Sequence, residues 1–256
     1  MKRALKILAI ALAAVVLAIA VLVVATMSGG KPIVDGEQLP GGTVTVKDGF
    51  TSAFMLDAGD GAVVFMDACR DPKGAAVLAA LARRGAGPDA VKAVFLTHGH
   101  TDHTGAIPLF KNAAIMALAD EVALIEGRAA PGSPISALRG KPKPTGLRVT
   151  RALADGETVT VGTLTVRVFA VPGHTAGSAA YLARGTLFLG DAADASSSGD
   201  VRSARWLFSE SAGRAAASLE SLSKRLAPDA DGVKALAFAH SGPLAGFAPL
   251  AAFRAK

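Results

Sequence analysis

The polarity of this chain changes character three times. Residues 7–27 are an uncharged run of Ala, Leu, Ile and Val closed by Thr26 and Met27, 21 residues with no proline. As a helix it would reach about 30 Å, the thickness of a bilayer core. It is longer than the roughly 7–15 residues of a signal-peptide core. Lys2, Arg3 and Lys6 precede it and Ser28-Gly29-Gly30 follow. Residues 1–30 therefore predict an N-terminal membrane anchor, a single transmembrane helix crossing through residues 7–27. Its basic end stays cytoplasmic and the remainder lies extracytoplasmic. A cleaved secretory signal is the alternative. No cysteine stands directly behind the run, which excludes a lipoprotein anchor.

After a polar tether, 31–40, the period shortens to that of strands. Residues 43–46 alternate. Residues 50–56 and 62–66 flank Asp57-Ala58-Gly59-Asp60-Gly61 as a hairpin. Val77, Leu78 and Leu81 give 74–84 helical spacing. A buried strand at 91–96 follows Pro88-Asp89, then a short helix at 107–112, a strand at 114–118 and a helix at 120–126. Residues 127–147 hold Pro131, Pro134, Pro142 and Pro144 with Arg128, Arg139, Lys141 and Lys143. A loop of this length is a lid over substrate or a solvated excursion, and the pattern leaves both open. Strands return at 149–153, 157–161 and 164–169, and a hairpin joins 179–182 to 186–189. A Ser/Gly loop at 195–201 leads to an amphipathic helix at 210–226, with Leu219, Leu222 and Leu226 on one face. A last strand spans 233–239, and 243–255 reads as helix. Two strand-rich runs, each followed by helices, predict an α/β domain over 41–256 with stacked sheets and outer helices.

Composition changes this picture little. A hydrophobic fraction of 51% and a mean hydropathy of +0.40 are high, and the first thirty residues supply much of the excess. The net charge is +6, and Lys2, Arg3 and Lys6 ahead of the apolar run supply three of those charges. One Trp and one Tyr leave little for base stacking, and basic residues do not cluster between aromatics, so no nucleic-acid partner is expected. Cys69 is the only cysteine and can form no internal disulfide. It is either a small semi-buried residue or a thiolate.

Candidate chemistry is concentrated. Three of the five histidines stand in Thr97-His98-Gly99-His100-Thr101-Asp102-His103, directly after an apolar run. The others are His174, in Pro172-Gly173-His174-Thr175, and His240, in His240-Ser241-Gly242. In an extended segment, side chains two apart share a face, so His98 and His100 reach one ion together. Asp102 and His103 follow after the chain turns and aim at a neighbouring point. Imidazole and carboxylate suit zinc at roughly 2.0–2.2 Å, and paired ions roughly 3.5–4 Å apart recur in hydrolases. Gly-x-Ser-x-Gly, Walker and dinucleotide motifs are absent from the sequence.

With Gly190-Asp191 added, the motif set resembles the metallo-β-lactamase superfamily over roughly residues 41–245. The resemblance implies the αββα sandwich and a metal-dependent hydrolase. It assigns His98, His100 and His174 to one metal and Asp102, His103 and His240 to a second, with Asp191 bridging. Asp67 would be structural. Asp191 with an intact H-x-H-x-D-H is similar to the glyoxalase II branch. The lactonase tyrosine after the bridging aspartate is missing; Asp194 stands there, and Tyr181 is expected to pack on its strand. The implied cofactors are two divalent ions, Zn2+ first, with Fe or Mn as options. A bridged hydroxide would cleave an ester, thioester, lactone, amide or phosphodiester of a small-molecule substrate, with Asp102 orienting the nucleophile and carrying a proton. The alternatives are a mononuclear iron oxidoreductase similar to persulfide dioxygenases and a non-catalytic membrane-tethered binding module.

Overall fold

The computed structural model describes residues 2–136 and 141–255. Helix α1 (Lys2–Met27) projects from the rest and buries almost nothing. The first sheet contains seven strands in chain order: β1 (Gln38–Leu39), β2 (Thr43–Asp48), β3 (Thr51–Asp57), β4 (Val63–Met66), β5 (Val91–Phe95), β6 (Ala114–Leu118) and β7 (Arg151–Leu153). β1 to β4 are antiparallel neighbours, and β4 to β7 run parallel. The parallel part needs crossovers, which α2 (Ala75–Arg83), the single turn α3 (Thr101–Thr104) and α4 (Val122–Ile125) help to make.

The second sheet opens with β8 (Thr158–Val161), β9 (Leu164–Ala170), β10 (Ala179–Ala183) and β11 (Thr186–Phe188). A separate ribbon of β12 (Ala193–Ala195) and β13 (Val201–Ser203) comes next, then α5 (Ala212–Leu226), β14 (Ala235–Ala237), β15 (Leu244–Ala245) and α6 (Ala248–Ala252). The sheet order is β15-β14-β11-β10-β9-β8, with only β11 and β14 parallel.

Side-chain alternation assigns each strand face to a core. Phe54, Leu56, Val64, Met66 and Phe95 meet Tyr181 and Phe188 between the sheets. Ala53, Met55, Val63, Phe65 and Val94 point the other way, to Val77 and Leu81 of α2. Leu187, Leu189 and Leu236 pack on Leu219, Leu222 and Leu226 of α5. The layers are therefore helix, sheet, sheet, helix. Stretches covered on both faces are apolar, so 53–56 of β3, 63–66 of β4 and 93–95 of β5 appear in the sequence as runs rather than alternations. Ser211 caps α5 by accepting from Arg214 N, and Lys224 and Arg225 sit at its negative end.

Several boundaries differ from expectation. The helix expected at 107–112 is one 3₁₀ turn, Ile107–Leu109. The helix expected at 243–255 shrinks to α6, because Leu244–Ala245 pair with β14 and Gly246 follows at φ +69°. The 195–201 loop is the turn of the β12–β13 ribbon. The 31–40 segment is bound at both ends. Gly30 bridges to Ser196, Lys31 N donates to Ala195 O, Gly242 N donates to Lys31 O, and β1 pairs with β2. Arg139 lies outside the described residues.

Candidate metal centre

Five loops leave the C-terminal ends of β4, β5, β9, β11 and β14 on one rim of the sandwich, carrying Asp67, His98–His103, His174, Asp191 and His240. Two glycines let them converge. At Gly190 φ is +51°, and a Cβ would stand 2.4 Å from Thr97 Oγ1. At Gly173 φ is +141°, and a Cβ would lie 2.1 Å from Ala215 N at the start of α5. A side chain at either position would hold the following ligand residue away from the centre.

The structure brings all seven candidate ligands together. His98, His100, His174 and Asp191 form one group and Asp102, His103 and His240 another; within each, one potential donor atom per residue lies within 4.8 Å of the others. His100 Nδ1 is 2.9 Å from both His98 Nε2 and His174 Nε2, which are 3.1 Å apart. Asp191 Oδ2 is 3.5 Å from His174 Nε2 and 3.1 Å from His240 Nε2, and Asp191 Oδ1 is 3.3 Å from His103 Nε2. Asp102 Oδ2 is 3.4 Å from His240 Nε2 and 3.8 Å from His103 Nε2. Asp191 thus touches both groups. His100 is still extended, and α3 then turns the chain, so Asp102 and His103 face the second point.

Hydrogen bonds behind the rings fix what each ring offers. Thr97 Oγ1 donates to Asp67 Oδ2 (2.8 Å), so it accepts from His98 Nδ1–H (3.1 Å). Ser209 Oγ donates to Arg205 O (2.8 Å), so it accepts from His174 Nδ1–H (3.1 Å). His103 Nδ1–H donates to Asp67 Oδ2 (2.8 Å) and His240 Nδ1–H to Phe50 O (2.9 Å). Each of these four rings therefore presents Nε2 to the centre. His98 and His174 aim bare lone pairs at each other, an arrangement that repels unless a cation stands between them. Tetrahedral zinc with Zn–N near 2.0–2.1 Å would space its nitrogens about 3.3 Å apart, close to what is seen. His103 Nε2 and Asp191 Oδ1 are buried 3.3 Å apart, and neither makes a well-formed hydrogen bond, which again fits an ion.

The electrostatics separate the groups. Burial holds His98 well below the usual imidazole range and His174 down to about 3. Burial also opposes charge on His103 and His240, but carboxylates overrule it. Asp67, Asp191 and Asp102 raise His103 well above its ordinary value, and Asp191 and Asp102 raise His240 to about 10. Burial works against ionised Asp102 and Asp191, yet the facing histidines bring Asp102 to about 2 and Asp191 well below the carboxylate range.

Some supporting residues escaped sequence reasoning. Glu121, buried at the end of β6, accepts from Gly99 N (2.7 Å), Thr175 Oγ1 (2.8 Å) and Gly177 N (3.0 Å). It ties the His98–His100 loop to the His174 loop. Burial raises its carboxyl to about 7 against those donors. The available signal was an acid just past an apolar strand, the same cue that marks Asp67. Ser209 gave no signal. Asp67, at φ +60°, takes Thr97 N, Thr97 Oγ1 and His103 Nδ1, the structural role expected of it. Tyr181 is buried and donates to Leu96 O (2.7 Å). Cys69 is buried against Val46 O, and burial pushes its thiol far up, so it offers no thiolate. Asp194 pairs with Arg205 Nε at 2.7 Å.

A cavity of about 650 Å³ opens over the centre. Pro131, Ser133 and Ile135 form one wall, so the first part of the 127–147 loop stands at the site. Phe50, Arg205 and Phe208 line others.

Residues 46–233 match the family model of the metallo-β-lactamase superfamily. Among curated proteins, a hydroxyacylglutathione hydrolase of Cupriavidus taiwanensis is 36% identical over 130 residues, 49% of this chain and 40% of that protein. Another, of Fuscovulum blasticum, is 34% identical over 137 residues, 53% and 44% of the two chains. The chain thus spans less than half the length of these relatives. Among solved structures, a B3 metallo-β-lactamase with an active-site glutamic acid superposes with a TM-score of 0.66 at 20% identity, covering 90% of each chain. A subclass B3 enzyme of Bradyrhizobium japonicum gives 0.58 at 20% identity, covering 84% and 81%. These structural likenesses bear on the fold, and the family match extends over most of the chain: the protein belongs to the metallo-β-lactamase superfamily.

Proposed function

We propose that the protein is a membrane-anchored dinuclear metallohydrolase that cleaves a small-molecule ester, thioester, lactone, amide or phosphodiester. The observation that carries this reading is the meeting of two ligand groups at Asp191, with histidine nitrogens aimed at shared points. His98, His100 and His174 would hold one divalent ion, Asp102, His103 and His240 the other, and Asp191 both. Zinc suits the donors best, and iron or manganese is compatible with them. Such ions, when bound, make water acidic near neutral pH and stabilise negative charge developing on a carbonyl or phosphoryl oxygen.

The protein's own contributions follow from position. Thr97, Ser209, Asp67 and Phe50 O hold four rings in the tautomer that leaves Nε2 free. Asp102, at the cavity floor and kept ionised, accepts a proton from attacking water and delivers it to the leaving group. The loop at 131–136 and Phe208 shield the reacting bond from bulk water.

In this reading residues 1–30 anchor, 31–40 connect and 41–256 catalyse, with the catalytic domain extracytoplasmic. The span Leu5–Thr26 has the length and apolarity for the anchor. Metal quantification on the full-length protein is the first test, with two ions per chain expected. Hydrolysis is then assayed on a panel that includes acylglutathiones and β-lactams, prompted by the names of the relatives and structural neighbours. One iron per chain with oxygen uptake would replace hydrolysis by oxidation. Neither bound metal nor turnover of any substrate on the panel would leave a binding module.

A further inference from the structure

The apolar helix and the cavity meet. Val23 lines the same cavity as His100, Asp102 and Asp191. Val23 lies three residues before the end of the Leu5–Thr26 span, about 4.5 Å along a helix axis. The chain that follows has no slack. Ser197 N donates to Gly29 O, Lys31 N to Ala195 O and Gly242 N to Lys31 O, while Lys31 Nζ donates to Pro243 O. Those partners flank Asp191 and His240. The helix end is thereby fastened to the rim that carries the ligands.

The rim is also where the domain exposes aromatic surface. Outside α1, the large apolar side chains standing exposed among the described residues are Val34, Phe50, Leu78 and Trp206. Phe50, 48% exposed, lines the cavity and stacks on His240. Trp206, 52% exposed, sits between the cavity residues Arg205 and Phe208. Arg70 lies over the Phe50 ring at 5.0 Å and is itself a cavity residue. Aromatic rings beside arginines at the exit of an apolar helix are what a bilayer surface receives.

We infer that the mouth of the cavity is seated in the bilayer interface and that the substrate is a membrane-borne amphiphile, its hydrolysable bond over the His/Asp centre and its acyl chain passing Val23 and Phe50. This deepens the proposed function and rests on it for the hydrolytic step. The geometry gives the apolar chain of such a substrate a path that stays in contact with apolar surface, whereas a fully water-soluble substrate gains nothing from a mouth facing lipid.

Trp206 is the only tryptophan, so it reports seating without reference to catalysis. The full-length zinc-loaded protein is reconstituted in phosphatidylcholine–phosphatidylglycerol vesicles, with or without lipids brominated on the upper acyl carbons. Brominated lipid should quench the emission on the order of twofold, the response of a ring at the headgroup–acyl boundary. In the same vesicles, palmitoyl p-nitrophenyl ester should be cleaved with a kcat/KM roughly tenfold or more above that of the acetyl ester. Emission insensitive to bromine overturns the inference. Quenching with equal or better turnover of the acetyl ester overturns the substrate class. Quenching with neither ester cleaved supports the seating and overturns ester hydrolysis instead, so failure of the mechanism and failure of the orientation read differently.

Discussion

His98 and His174 face each other across the centre as neutral rings, whereas His103 and His240 face the carboxylates of Asp102 and Asp191. Their supports differ as well. Glu121 ties together the loops of the first group, while Asp67 and the Phe50 carbonyl hold the second. The first group is therefore ready for a cation at neutral pH, and the second is occupied by protons that a cation must displace. Two halves of one site that share Asp191 should load with different proton stoichiometry.

The largest test removes what the halves share. Asp191→Ala should cost on the order of a thousandfold in turnover, and metal analysis should find fewer than two ions per chain. Asp67→Asn keeps the shape but cannot accept from Thr97 N, Thr97 Oγ1 and His103 Nδ1 together; metal affinity should fall roughly 10–100-fold in chelator competition. If only one ion weakens, the route from Asp67 through Thr97 to His98 matters less than its direct bond to His103. For pH, the sign follows from protonation. His240 is raised to about 10 and His103 well above its ordinary value in the metal-free protein, so at neutral pH two protons compete with the ion, and affinity at the second group should drop by up to about a hundredfold per unit fall in pH. Burial keeps His174 near 3, so it adds no such slope at neutral pH. Calorimetry in buffers of different ionisation enthalpy would count the protons released, and equal release at both ions would break the comparison. Glu121→Gln should weaken the first ion roughly tenfold and spare the second. Smallest of all, Tyr181→Phe should lower stability by about 1 kcal/mol in urea unfolding and leave both ions alone.

The residues that cluster at the centre were visible as candidates in the sequence because histidine is scarce here and the motifs that carry it follow apolar runs. The layers were visible because β3 to β6 lie covered on both faces and so appear as apolar runs. Other features depend on contacts no local pattern announces. Glu121 looked like a helix residue until the fold set it behind two loops distant in sequence. Ser209 acts only because α5 brings its loop to His174; Glu210 N donates to His174 O, and Ser211 N to Gly173 O. The 31–40 segment looked like a spacer because its bonds to Ala195 and Gly242 are backbone bonds, which no side-chain pattern encodes.

One oxygen, Asp67 Oδ2, receives both the Thr97 hydroxyl that steadies His98 and the His103 Nδ1–H. Anything that locks His103 in place also settles that oxygen, and through it the ring across the divide. Loading should consequently be cooperative, and thermodynamic reciprocity makes the assistance equal in both directions.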